Sequence, residues 1–136
     1  MTGRDVARLI NSGRIGFGAA LMLAPRRVGR GWIGASADAP GVTAIARALG
    51  VRDAVLGAIG LHTMDNPQVG PRWQRTLALC DVVDLVATLA ARRGLPRVGV
   101  ALVVLMATGA TGAQLWAAGE LAKATAEPDE AAVDRS

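Results

Sequence analysis

The chain has 136 residues, of which 51% are hydrophobic and 19% are charged, and its formal net charge is +4. This length allows one compact domain or a small bundle of helices, and the low charged fraction argues against a chain that is disordered over most of its length. The single cysteine and the single histidine exclude an intrachain disulfide and a multi-cysteine or multi-histidine metal centre, and no residue pattern indicates a cofactor.

Three apolar segments interrupted by charges are predicted first along the chain. They cover residues 8–25, 43–64 and 74–91, and the stretches between them are rich in Gly, Pro and Arg, which favours turns. The ionisable residues away from the segment ends are Arg14, Arg47, Arg52, Asp53, His62, Asp81 and Asp84. Ahead of the first segment, Thr2 and Asp5 have the spacing of a capping box, so the first helix is expected to begin there.

The fourth segment, residues 98–119, contains no charged residue and is close to the roughly 20 residues that a helix needs to cross a bilayer. Thr108, Thr111 and Gln114 recur in it at three-residue spacing and so share one helix face. A helix that borders water normally shows a charged face, which this segment lacks. It is therefore predicted to be a transmembrane helix, and the polar, mostly acidic residues 120–136 are predicted to form a disordered tail.

Together these segments predict an all-α fold, an integral membrane four-helix bundle formed by residues 1–119. Its expected partners are membrane lipids, with a second copy of the chain or another membrane protein as further candidates. A soluble, Ala-rich helical bundle is the alternative. The charges inside the second and third segments favour that alternative, whereas the fourth segment has no polar face to present to water.

The basic charge balance does not indicate nucleic-acid binding. The sequence contains one Phe, three Trp and no Tyr, which is too few aromatic residues for base-stacking platforms. Its arginines cluster at the ends of the predicted segments, where they would contact lipid headgroups, and no basic stripe follows a helix face. The charge pattern is therefore typical of the boundaries of a membrane protein.

Five charged residues inside the second and third segments are the candidate polar-core or ligand-binding residues. They are Arg47, Arg52, Asp53, Asp81 and Asp84. Each would cost roughly 2.5–3.5 kcal/mol if it stood alone at the centre of a bilayer, so they are expected to face one another or a polar cavity. The short connection between the two segments predicts an antiparallel hairpin, in which Arg52 and Asp84 lie at similar depth and pair. Because two arginines face three aspartates, Arg14, His62 or a proton is expected to balance the remaining acid.

The second segment also carries a face of small residues around one of these acids. Its members are Gly50, Asp53, Gly57 and Gly60, which recur at three- and four-residue spacing. Small residues allow a neighbouring helix to approach closely. This face is expected to meet the face of the third segment that carries Asp81 and Asp84.

Of three functions compatible with charges placed inside such a bundle, the first is favoured and the other two are alternatives. In the first, a buried ion-pair network holds the helices of a structural or accessory membrane protein in register. In the second, the charges line the cavity of a membrane enzyme or of a protein that binds a small ligand or lipid. In the third, the acids carry protons in proton-coupled transport, although no repeated halves or broken spans are evident. The pattern singles out no catalytic residue and favours a protein that is not an enzyme.

Residues 46–61 and 72–89 resemble a family of small four-helix bacterial membrane proteins. The matching pattern is Arg47-x-x-Gly50-x-Arg52-Asp53, followed by Gly57, Trp73 and Asp81-x-x-Asp84. These proteins are common in actinobacteria, have no assigned function, and are distantly similar to DoxX-like membrane proteins. The resemblance implies a multi-pass, four-span fold in the bacterial plasma membrane, and it implies no activity.

Overall fold

The computed structural model describes the backbone of residues 1–133 and the side chains of residues 1–124. Over this range the chain is all-helical and contains no strand, which confirms the all-α part of the predicted fold class. The helices are α1 (Gly3–Leu23), α2 (Pro25–Ile33), α3 (Pro40–Thr63), α4 (Gly70–Ala91) and α5 (Arg97–Val133). Short 3-10 turns at Gly34–Asp38 and Arg92–Gly94 complete two of the connections.

The four long helices, α1, α3, α4 and α5, alternate in direction and form a bundle. α1 packs against both α3 and α5, and α4 packs against α5, whereas α3 and α4 have few contacts with each other. The short helix α2 and the 3-10 turn after it contact the ends of these helices at one end of the bundle, here called the α2 end. That part of the chain is helical where the sequence predicts a turn-rich connection, because Pro25 is favourable in the first turn of a helix.

The small-residue face of α3 meets α1 rather than α4, which corrects the expectation from the sequence. A Cβ atom at Gly50 would lie 2.6 Å from the carbonyl oxygen of Gly18, and one at Gly57 would lie 2.6 Å from that of Asn11. Real side chains do not tolerate such contacts, so the two backbones approach this closely only because glycine stands at these positions. The hairpin of α3 and α4 is antiparallel but loosely packed, since the closest partner of α3 is α1.

The first helix begins with the predicted capping box. The backbone N–H of Asp5 donates to Thr2 Oγ1 at 3.2 Å, and the N–H of Thr2 donates to Asp5 Oδ2 at 2.9 Å. These bonds occupy donors that a helix N-terminus otherwise leaves without partners. The hydrogen bond from the Thr2 backbone lowers the pKa of Asp5, so its carboxylate stays charged at the positive end of α1.

The last helix is longer than the fourth predicted segment. α5 continues through Val133, whereas the sequence predicts an irregular tail from residue 120, and the last three residues lie outside the described part of the chain. Residues 120–127 are rich in alanine, glutamate and lysine, which are good helix formers and favour continuation of the helix beyond the apolar stretch.

Among the described residues, α5 is the one helix that is long and apolar enough to cross a membrane, over Arg97–Ala124. The other long helices carry charged residues within their length: Arg14 in α1, Arg52 in α3 and Asp81 in α4. Only 11% of the most apolar part of α5 is buried inside the molecule. An apolar helix at the core of a water-soluble protein would be mostly buried, and α5 is not.

The interior of the bundle is rich in polar side chains and its outer surface is rich in apolar ones. The buried polar residues are Asn11, Arg14, Thr43, Asp53, Gln74, Asp81, Thr88 and Gln114. The exposed apolar residues on the outer faces of α3, α4 and α5 include Ile45, Val51, Val55, Ile59, Leu79, Val82, Val83, Val86, Leu102, Leu105 and Leu115. Among the described residues, eight buried polar residues against ten buried apolar ones is a larger polar share than the interior of a water-soluble domain usually has.

Candidate functional site

A cluster of five charged side chains, Arg14, Arg52, Asp53, Asp81 and Asp84, lies in the middle of the bundle and joins three helices. Arg14 of α1 connects α3 and α4. Its Nη1 donates to Asp53 Oδ1 of α3 at 3.3 Å, and its Nη2 donates to Asp81 Oδ1 of α4 at 2.5 Å. Only 7% of the Arg14 side chain is exposed. A guanidinium suits this position, since its rigid fork presents several donors to more than one carboxylate.

The second guanidinium of the charge cluster belongs to Arg52 of α3. Its Nη1 and Nη2 donate to the two carboxylate oxygens of Asp84 at 3.2 and 2.5 Å, and Nη2 also donates to Asp53 Oδ1 at 3.2 Å. Arg52 and Asp84 are thus in contact, as expected from their similar distances to the connection between α3 and α4. This bidentate pair is the principal side-chain link between those two helices.

Helix α5 contributes an uncharged member through the polar face that the sequence predicts. Gln114 is fully buried, and its Nε2 donates to Asp81 Oδ2 at 3.0 Å. Thr111 lies half-buried one turn earlier on the same face, whereas Thr108 is exposed. The charge cluster is therefore held by all four long helices.

Arg47, a predicted member, lies outside the charge cluster. It is exposed, and its Nε donates to the carbonyl oxygen of Met22 at 3.4 Å. On an α-helix, Arg47 is rotated by about 140° from Arg52, so the two cannot face the same neighbour. His62 is also exposed, at the end of α3, which leaves Arg14 as the base that balances the aspartates. The signal for Arg14 in the sequence is a lone charge inside the otherwise apolar first segment.

A cavity of about 260 Å³ opens beside the charge cluster. One wall is polar and consists of Arg14, Asp53, Asp81 and Asp84. The remaining walls are mostly apolar and include Ile10, Phe17, Trp32, Leu49, Val103 and Met106. The indole N–H of Trp32 is buried without a hydrogen-bond partner among the described residues. The cavity thus combines charged groups at the middle of the bundle with an apolar lining that reaches the α2 end.

The charge cluster contains one more acid than base, so its formal charge is negative. Although three aspartates take part, no group of three His, Cys, Asp or Glu side chains within residues 1–124 is arranged to hold a metal ion. Asp53 instead accepts from the guanidinium groups of both Arg14 and Arg52, and Asp84 accepts from that of Arg52. Chemically, the site suits the binding of a polar or cationic group more than the binding of a metal.

The chain matches no protein-family model, and it shows no significant similarity to a curated protein or to a solved structure.

Proposed function

We propose that this chain is a small multi-pass protein of the bacterial plasma membrane that binds a small amphipathic molecule in the cavity beside its charge cluster. In this proposal α1, α3, α4 and α5 all span the membrane, as the resemblance to small four-helix membrane proteins implies. The observation that carries the proposal is the cavity itself, which brings four charged side chains and an apolar lining together inside one bundle.

The distribution of polarity supports the membrane location. In a soluble protein, the outward-facing Val, Leu and Ile side chains on three helices would contact water. The hydrophobic effect would then drive separate molecules to associate through these surfaces. In a bilayer they contact acyl chains, and the costly polar groups turn inward to one another. Exposed arginines border this apolar surface at both ends, with Arg92, Arg93 and Arg97 at the α2 end and Arg72 and Arg75 at the opposite end.

The lining of the cavity supports an amphipathic ligand. Binding sites for small molecules are mostly apolar, with a few convergent polar groups that orient the ligand. Phe17, Trp32 and Met106 offer contact area for an apolar body, while Asp81 and Asp84 offer acceptors for a polar head. Because acids outnumber bases in the charge cluster, a cationic or hydrogen-bond-donating head is the better match.

A structural or accessory role is the second candidate, and the pairing within the charge cluster favours it. Both guanidinium groups and all three carboxylates have partners, and the contacts link α1, α3, α4 and α5. Such a network sets the register of four helices whatever the cavity contains.

The ligand proposal is tested with three bromine-tagged probes that share an eight-carbon chain and differ in the head: 8-bromooctylamine, 8-bromooctanol and 8-bromooctanoate. The protein carries Trp73→Phe and Trp116→Phe, which leaves Trp32 as the sole tryptophan, and is placed in lipid nanodiscs. We expect saturable quenching of Trp32 fluorescence, with the amine binding at least tenfold more tightly than the carboxylate.

Two glycines of α1 supply a matched pair of variants. A Cβ atom at Gly13 or at Gly16 would have open space around it, but only Gly13 lines the cavity. Gly13→Leu is expected to abolish the saturable quenching, and Gly16→Leu to leave it within twofold. Equal quenching in the two variants, or quenching that never saturates, would exclude ligand binding in this cavity and favour the structural role.

A further inference from the structure

A second cavity, of about 490 Å³, lies at the α2 end, away from the charge cluster. It is open to the surface between the end of α1, the start of α2 and the first two turns of α3. Three arginines line it, Arg26 and Arg27 from α2 and Arg47 from α3, together with Pro25 and Thr43, and no acidic side chain lines it. Arg47, which the sequence assigned to the interior charges, therefore belongs to this basic cavity.

The three arginines of the basic cavity lack carboxylate partners. Among residues 1–124, none of them forms an ion pair, and the contact of Arg47 with the Met22 carbonyl uses only its Nε. The neighbouring Arg30 behaves differently, because its Nη2 and Nε donate to Asp38 at 2.8 and 3.1 Å. The hydrogen bond from Arg30 lowers the pKa of Asp38, so that carboxylate stays charged and committed to Arg30.

The backbone adds donors at the same place. α2 begins at Pro25, and its N-cap residue, Ala24, makes no side-chain capping bond. Proline has no N–H, but the N–H groups of Arg26 and Arg27 lie in the first turn of the helix, which offers them no acceptor. The positive end of the helix dipole therefore reinforces the three guanidinium groups that line the cavity.

We propose that the basic cavity binds a phosphate group, carried either by a lipid headgroup or by a soluble phosphate. Guanidinium groups match the oxygens of a phosphate in bidentate fashion, and a helix N-terminus is a common second donor to them. The opening is bordered by Leu23, whose side chain is 86% exposed, so an apolar group attached to the phosphate would find a surface there. If the bundle spans the membrane as proposed above, the α2 end lies at the level of the headgroups, where basic pockets between helices bind anionic lipids.

The test compares two variants that remove equal charge from the same end of the bundle. The site variant is R26Q/R27Q/R47Q, and the control is R92Q/R93Q/R97Q, whose arginines are exposed and do not line the cavity. In the first arm, the proteins are extracted from nanodiscs of phosphatidylglycerol and phosphatidylcholine, and retained lipid is counted by native mass spectrometry. In the second arm, inorganic phosphate is titrated into each protein in a neutral detergent by calorimetry.

We expect the site variant to retain at least fivefold less phosphatidylglycerol than the wild type and the control. Retention of phosphatidylcholine, in which the choline cation balances the phosphate charge, is expected to be unchanged. Loss of that retention identifies a lipid headgroup as the source, and selective loss of phosphate binding in the second arm identifies a soluble phosphate. The proposal would be overturned if the site variant and the control lost phosphatidylglycerol or phosphate binding equally. It would also be overturned if neither retention nor phosphate binding changed in the site variant. The double variant R26Q/R27Q, which keeps the Arg47 contact with α1, repeats the comparison if the triple variant does not fold.

Discussion

At the scale of single residues, Arg14 holds the interior of the protein together. It is the only base in contact with Asp81 among the described side chains, and it shares Asp53 with Arg52. Removing one partner from a buried ion pair is strongly destabilising, because the remaining charge has neither water nor a counter-charge. Arg14 and Arg47 are both arginines in predicted spans, but only the first has this role.

Arg14→Gln is therefore expected to lower the stability of the folded protein by about 3–5 kcal/mol, whereas Arg47→Gln is expected to change it by less than about 1 kcal/mol. The measurements are the yield of monodisperse protein and its unfolding temperature in detergent. Adding Asp81→Asn to Arg14→Gln removes the unpaired charge and is expected to restore part of the loss. Equal effects of Arg14→Gln and Arg47→Gln would contradict the role given to Arg14.

This part of the site shows where prediction from the sequence succeeds and where it stops. Arg52 and Asp84 lie in two segments joined by a short connection, so counting residues from that connection places them at the same depth. The contacts of Arg14 span much larger separations, 39 residues to Asp53 and 67 to Asp81. No local count predicts such a pairing, because it depends on which helices become neighbours.

At the scale of helices, the contact of α1 with α3 depends on glycine. Gly18 of α1 lies against the backbone of α3, where an added Cβ would come within 2.7 Å of the Ala54 nitrogen and 3.1 Å of the Ala54 Cβ. Gly16, two residues earlier in the same helix, has open space at the equivalent position. The same substitution therefore has opposite consequences at the two sites.

Gly18→Ala is expected to destabilise the protein by about 1–3 kcal/mol, because α1 and α3 must move apart to admit the methyl group. Gly16→Ala is expected to stabilise it by up to about 1 kcal/mol, since alanine is the better helix former. Thermal unfolding of the two variants in the same detergent tests whether the stability falls in Gly18→Ala and rises in Gly16→Ala. A stabilising Gly18→Ala would show that the close contact of α1 and α3 is not required.

At the scale of the whole molecule, the bundle encloses a small charge cluster and leaves many apolar side chains exposed on its outer faces. The apolar cluster of fully buried residues is small and lies at one end, around Val6, Ala7, Ala117 and Leu121. A core of that size is a weak source of stability for a bundle in water, where burial of apolar area dominates folding. In lipid, close packing and polar contacts between helices take over that role.

The proposed membrane location predicts how cysteines placed on the surface will react. Cys80→Ala removes the only native thiol. In that background Leu105→Cys, at a position 72% exposed within the apolar stretch of α5, is expected to resist a water-soluble maleimide in intact membranes. Arg93→Cys, at an exposed turn of the α2 end, is expected to react when the reagent reaches that side. Labelling of Leu105→Cys as fast as Arg93→Cys would instead indicate a bundle exposed to water.

The sequence by itself determined the all-helical fold, the capping box at Thr2 and the pairing of Arg52 with Asp84. These features depend on local composition, on helical periodicity and on distance along the chain. Only the tertiary structure decided that Arg14 joins the charge cluster, that Arg47 lines a separate basic cavity, and that α3 packs on α1. Those features depend on how each helix is rotated about its own axis, and that rotation is set by contacts between residues far apart in the chain.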